Sequence, residues 1–193
     1  MDPLASIFDT AADDRRHGAA EIERRLVGDL LRERRGWTAE ALTLGAARLL
    51  AGQPAMANLR NLARLFGDED RALVAERLRR RGEVLAALDE RFAAGAWPLI
   101  RDRDRVLTVS RSSAVAAAVR GARRRGWRGE VVVFDGSPAG GGETLARDLA
   151  GRGGGVCSQP DAAAPAWLGR GGAVVVVGAD AISPTRFVNA CGT

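Results

Sequence analysis

The chain has no lysine and no tyrosine, a single histidine, two cysteines and no long apolar run. Each shortage excludes something. Cys157 and Cys191 alone cannot build a disulfide framework or a cysteine-rich zinc site. With His17 as the only histidine, a Ser-His-Asp triad cannot form without it. His17 lies in the polar stretch Arg16-His17-Gly18 and reads as an isolated surface residue. A membrane-spanning helix needs an apolar run of about 20 residues, and none is present. The N-terminus, Met1-Asp2-Pro3-Leu4, lacks the basic segment and apolar stretch of a signal peptide. Together with the scarcity of cysteine, this points to the cytoplasm and away from a membrane.

What remains is the composition of a globular chain, with 193 residues, 46% hydrophobic and 27% charged. All 29 basic residues are arginine, and they are unevenly balanced. Residues 1–97 hold 16 Arg against 16 acidic residues, whereas residues 98–193 hold 13 Arg against 8, so the net charge of +5 lies in the second half. An electropositive half suits an anionic ligand. A nucleic-acid surface would show a basic stripe interleaved with aromatics. The nearest approach, Arg123-Arg124-Arg125 beside Gly126, reads as a solvated helix cap, so nucleic acid is not expected as a partner.

The first half has helical periodicity. Ile22, Leu26, Leu30 and Leu31 mark a helix from Ala19 to Arg35, stopped by Gly36. Thr38 is a good N-cap for a second helix through Leu50, with Glu40 in its first turn. After Gly52-Gln53-Pro54, a third helix carries Met56, Leu59, Leu62, Leu65 and Phe66. Asp68 caps a long fourth helix, and Gly95-Ala96-Trp97-Pro98 closes the helical region. From there the rhythm changes to short apolar runs alternating with helices. Strands are expected at Val106–Val109, Val131–Phe134, Gly155–Cys157 and, most clearly, Val174–Val177. Helices are expected at Ser112–Arg125, Glu143–Ala150 and Asp161–Leu168. The fold class is therefore α/β, a helical N-terminal domain (1–97) followed by a Rossmann-like parallel sheet (98–193).

Ligands of such sheets bind beyond the carboxyl ends of the strands, which nominates Ser110–Ser113, Asp135–Gly142 and Gly178–Asp180. Ser110-Arg111-Ser112-Ser113 combines hydroxyls, an arginine and the free amides of a helix start, a good anion cradle; Ser112 equally serves as a plain helix cap. Gly140-Gly141-Gly142 could approach a phosphate closely but lacks the Lys-Ser/Thr of a P-loop, and alone reads as a flexible turn. Asp180, after the tetravaline run, could act as general acid or base, bind a sugar hydroxyl, or cap a turn. Cys157 reads as core, and nothing evident lowers the pKa of Cys191. No cofactor or metal is expected.

Taken together, Val106-Leu-Thr-Val-Ser-Arg-Ser-Ser-Ala-Val115, Phe134-Asp-Gly-Ser-Pro138, Val177-Gly-Ala-Asp180 and Asn189-Ala-Cys-Gly-Thr193 occur in an order that resembles the initiation factor 2B alpha/beta/delta family. That family includes ribose-1,5-bisphosphate isomerase and methylthioribose-1-phosphate isomerase. His17-Gly-Ala-Ala-Glu-Ile22 and Gln53-Pro-Ala-Met-Ala-Asn-Leu-Arg-Asn61 agree with it. The resemblance implies a Rossmann-like domain that dimerises, with a second copy or a related subunit as partner. It implies ligand contacts at Arg16, Gly18, Ser110, Arg111, Ser112, Ser113 and Asn189, and a catalytic Asp at Asp180. It also exposes departures. Ser110 stands where the isomerases carry their catalytic cysteine, and a hydroxyl without a base is a poor nucleophile. Ser137 replaces an Arg, Ala190 replaces a Lys, and further strands and helices follow the Gly-Thr in the family, so the expectation is a truncated sheet: either a fragment of a longer protein, or a short sheet whose open edge is completed by dimerisation.

These departures rank three expectations. The first is a non-catalytic or regulatory protein that binds a phosphorylated sugar or nucleotide. The second is an aldose–ketose isomerase of a phosphorylated ribose, using Asp180. The third is an assembly subunit with an empty pocket.

Overall fold

A computed structural model describes residues 2–67, 70–138, 140–151 and 153–189. By its internal packing the chain forms two compact units, one of residues 1–87 with 180–188, the other of 88–179 with 189–193.

The first unit contains helices α1 (Pro3–Asp13), α2 (Ala19–Arg32), α3 (Ala39–Gly52) and α4 (Ala57–Ala63), and the start of α5 (Arg71–Ile100). Helix α1 was not expected, yet its start signals are present: Pro3 opens the first turn and the Asp2 carboxylate accepts the Leu4 amide at 3.0 Å. It buries Leu4 and Phe8, the latter meeting Phe66 edge to face at 5.4 Å. Gly45 of α3 lets Phe8 in, because a side chain there would overlap the ring. Thr38 caps α3 as expected, accepting the Ala41 amide at 3.1 Å. The third expected helix is shorter, with α4 followed by a 3-10 turn at Arg64–Gly67. The cap expected at Asp68 lies outside the described residues. Glu23, only 1% exposed, is held by both Arg81 (2.6 and 3.0 Å) and Asn58 (2.9 Å), tying α2 to α5 and α4. Strands β5 (Ala181–Ile182) and β6 (Phe187–Val188) form an antiparallel hairpin in this unit.

The second unit holds the end of α5, then β1 (Arg105–Val109), α6 (Ser113–Arg124), β2 (Glu130–Phe134), α7 (Gly142–Leu149), β3 (Val156–Gln159), α8 (Ala164–Leu168) and β4 (Ala173–Val175). The break expected at Gly95–Pro98 does not occur. Pro98 falls within the last turn of α5, where its missing N–H removes one hydrogen bond rather than a helix. The four strands are parallel in the order β3-β2-β1-β4. Val106, Val131 and Val133 face a core with α6 and α7, while Leu107, Val132 and Phe134 face Ala164 and Trp167.

As expected for a truncated sheet, the tetravaline run forms an open edge: it is in register with β1 through Val175, the Val176 amide donates to the Leu107 carbonyl at 2.9 Å, and Val175 is 55% exposed. The order corrects one expectation. Cys157 lies on the opposite edge strand and is half-buried. Of the arginine triplet only Arg123 departs from a solvated cap: it is 4% exposed and donates to the carbonyls of Leu149 (2.6 Å), Gly154 (3.3 Å) and Gly155 (3.4 Å), while Arg124 and the C-cap Arg125 are exposed and pair with Glu90. Among the described residues, no helix is long and apolar enough to cross a membrane.

Candidate functional site

The chain leaves β2 for β3 on one side of the sheet, then returns past β1 to lay β4 on the other. The strand order thus reverses between β1 and β4, the position at which α/β sheets hold ligands. Ser110–Ser112 follows β1 there.

Ser110 has φ +59°, a left-handed backbone that costs an L-residue about 1–2 kcal/mol. Its amide donates to the Phe134 carbonyl at 2.9 Å, so the turn is pinned to β2 as it leaves β1. Three glycines close on it. A Cβ at Gly136 would lie 2.6 Å from that of Ser110, one at Gly141 2.8 Å from the Arg111 nitrogen, and one at Gly178 2.6 Å from the Ser112 hydroxyl. Strain at a strand-to-helix turn, enforced by close backbone packing, is a common mark of a working site.

Ser112 is the N-cap of α6, its hydroxyl accepting the Val115 amide at 3.3 Å while its carbonyl accepts the Ala116 amide at 2.9 Å. The first-turn amides of Ser113 and Ala114 precede any intrahelical acceptor and lie at the positive end of a 12-residue helix. The helix-cap reading of Ser112 is thus observed. Ser110, Arg111, Ser112 and Ser113 are all half-buried, and Arg111 Nε faces Asp148 Oδ2 at 4.0 Å.

In loop 135–142, whose glycines alone read as a flexible turn, the Gly140 amide donates to Gly136 (2.9 Å) and those of Gly141 and Gly142 to Asp135 (3.0 and 3.1 Å), so these three amides are engaged within the loop. Asp161 completes the closure, accepting the Gly136 and Ser137 amides at 2.8 Å each. Those amide bonds hold its carboxyl below the usual range. Burial, aided by Glu130, pushes the Cys157 thiol up, which disfavours the thiolate.

Of the other expected residues, Asn189 is half-buried and belongs to this same unit, whereas Arg16, Gly18 and Asp180 belong to the first. Gly18 is the N-cap of α2, and its carbonyl accepts the Glu21 and Ile22 amides. His17 is not isolated. Its Nδ1 lies 2.7 Å from Asp14 and its Nε2 3.5 Å from Glu21. Burial opposes ionisation of Asp14, but the Arg16 and His17 amides and the imidazole outweigh it and lower its pKa. Asp180 is fixed by its backbone, donating to Val188 (2.7 Å) and accepting from Ala57 (3.1 Å). Among the described residues its carboxyl has no hydrogen-bond partner, and burial raises its pKa. Ala190 and Cys191 lie outside the described residues. Sequence reasoning missed Asp161 and the supporting roles of Gly136 and Gly141, whose only signal was glycine density.

Residues 15–193 match the model of the initiation factor 2 subunit family. No curated protein matches the sequence. Among solved structures, the chain is similar to the translation initiation factor eIF-2B of Pyrococcus horikoshii OT3, with 25% identity and a TM-score of 0.80, over 92% of this chain and 66% of that one. It is also similar to the tetrameric eIF2B-beta2-delta2 complex from C. thermophilum (18%, TM-score 0.72, 94% and 66%). The eIF2B delta structure from Chaetomium thermophilum compares at 18% identity and a TM-score of 0.70, over 94% and 76%. The chain thus spans 66% of the length of the first two of these structures.

Proposed function

The chain belongs to the initiation factor 2 subunit family, and from that premise we propose that it binds a small phosphorylated ligand, a sugar phosphate or a nucleotide, without converting it. The phosphate is received at the start of α6 by the Ser113 and Ala114 amides, with Ser110 and Arg111 beside it. The observation that carries this reading is the strained, glycine-buttressed Ser110 turn leading into an α6 N-terminus whose first amides lack intrahelical acceptors. The arginine excess of the second half supports an anionic ligand. Binding without turnover follows from Ser110, because a hydroxyl stands where the family's isomerases use a thiol and the sole histidine belongs to the other unit.

A second reading, aldose–ketose isomerisation of a phosphorylated ribose, is favoured by the half-buried carboxyl of Asp180, which has no hydrogen-bond partner among the described residues. A carboxyl raised by burial is suited to proton transfer. One experiment separates the two: calorimetric titration with ribose-1,5-bisphosphate, ribulose-1,5-bisphosphate and AMP, with product assayed in the same samples. Saturable binding with no product is expected. Turnover would establish the isomerase, and no binding at millimolar ligand would leave only an assembly role. For that role the partner is a second copy or a related subunit, as in the tetrameric beta2-delta2 complex. The cytoplasm remains the expected compartment.

A further inference from the structure

The Ser110 turn does not hold itself. Its conformation is unfavourable for serine, and the groups that confine it come from the loop after β2. Gly136 lies against Ser110 and Gly141 against Arg111 with no room for even a methyl group between them, so a displacement of this loop is passed directly to the turn. What fixes the loop comes in turn from a third strand end. Asp161 follows β3 and accepts the amides of Gly136 and Ser137 at 2.8 Å each, 25 and 24 residues away in sequence. The adjoining backbone is tied the same way, with Asp135 donating its amide to Gln159 at 3.1 Å and accepting at its carboxylate from the Ser158 hydroxyl at 3.3 Å. A carboxylate that accepts two successive amides defines both position and orientation of the peptide between them.

We propose that Asp161 is a positioning residue for the ligand turn: by clamping the Gly136 and Ser137 amides it sets the loop that keeps Ser110 and Arg111 in place. Its link to ligand affinity rests on the phosphate-binding reading above. The clamp itself does not. Asparagine keeps one acceptor oxygen and alanine keeps none, so the two substitutions grade the effect.

The test compares wild type, Asp161→Asn, Asp161→Ala and Asp102→Asn, the last an exposed control that, among the described residues, pairs only with its neighbour Arg101. Amide hydrogen exchange at Gly136, Ser137 and Ser110 is followed by NMR without ligand, and AMP affinity is measured on the same samples. In Asp161→Ala, exchange of all three amides should accelerate about tenfold or more, and AMP affinity should fall about tenfold while the unfolding temperature holds within a few degrees. Asp161→Asn should fall between alanine and wild type, and Asp102→Asn should match wild type. Faster exchange confined to Gly136 and Ser137, with Ser110 and AMP affinity unchanged, would overturn the proposal. If wild type itself binds no AMP, the phosphate reading fails while the Ser110 exchange arm still decides whether Asp161 positions the turn. If Asp161→Ala does not fold, the asparagine variant carries the comparison.

Discussion

Asp180 is a carboxyl that folding makes harder to ionise, since its peptide groups are engaged at 2.7 and 3.1 Å while its side chain has no hydrogen-bond partner among the described residues. A folded-state pKa raised above the ordinary 3.8 means that its contribution to stability is fully present below that value and is lost as pH rises through the raised one. Asp180→Asn should therefore stabilise the protein at pH 7, and the gain should vanish near pH 3.8, as chemical denaturation at the two pH values will show. An equal gain at both pH values would mean that ionisation is not the cause. Asp161 has the opposite sign, its depressed pKa giving stability above the ordinary carboxylate range that disappears as pH falls through the folded value. At this scale the sequence was informative where chemistry is local. Ser110–Ser113 reads as a strand handing over to a helix, and Ser112 does cap that helix. It was silent where partners are remote: nothing near Asp161 or Arg123 in sequence announces amides or carbonyls some 25 residues away.

Helix periodicity and caps made most elements legible, including Thr38 at the start of α3 and the β1–α6–β2 succession. Their packing was not, and two glycines show why. Gly45 and Gly95 both lie within helices and are indistinguishable by propensity, each about 1 kcal/mol less favourable than alanine. Gly45 touches the Phe8 ring, whereas nothing lies within 4 Å of the Cβ position at Gly95. Gly45→Ala should thus destabilise by about 1–3 kcal/mol through overpacking, and Gly95→Ala should stabilise by up to about 1 kcal/mol. Urea unfolding of the two variants checks this, and a shared sign would contradict the packing. The same blindness hid α1, whose few large apolar side chains gain meaning only against α3. Strand order is likewise not written in any single run of valines, so Val174–Val177 gave no sign of which strand it would pair with.

Across the whole molecule, the ordered motifs sufficed to identify the family and the α/β class, and Val106–Val115, Phe134–Pro138 and Val177–Asp180 fall at or just beyond the ends of β1, β2 and β4. The division into units was harder to see. It falls inside the continuous helix α5, and the segment Asp180–Val188 packs with the helical unit although it follows the sheet in sequence. No shift in composition marks either event. The account as a whole rests on one claim, that the start of α6 receives a phosphate. Backbone amide NMR of the whole chain, titrated with AMP and with adenosine, tests it most directly. The account predicts saturable shifts of the Ser113 and Ala114 amides with AMP, largest among all residues, and none with adenosine. Unmoved Ser113 and Ala114 amides at saturating AMP, or equal shifts with adenosine, would contradict it.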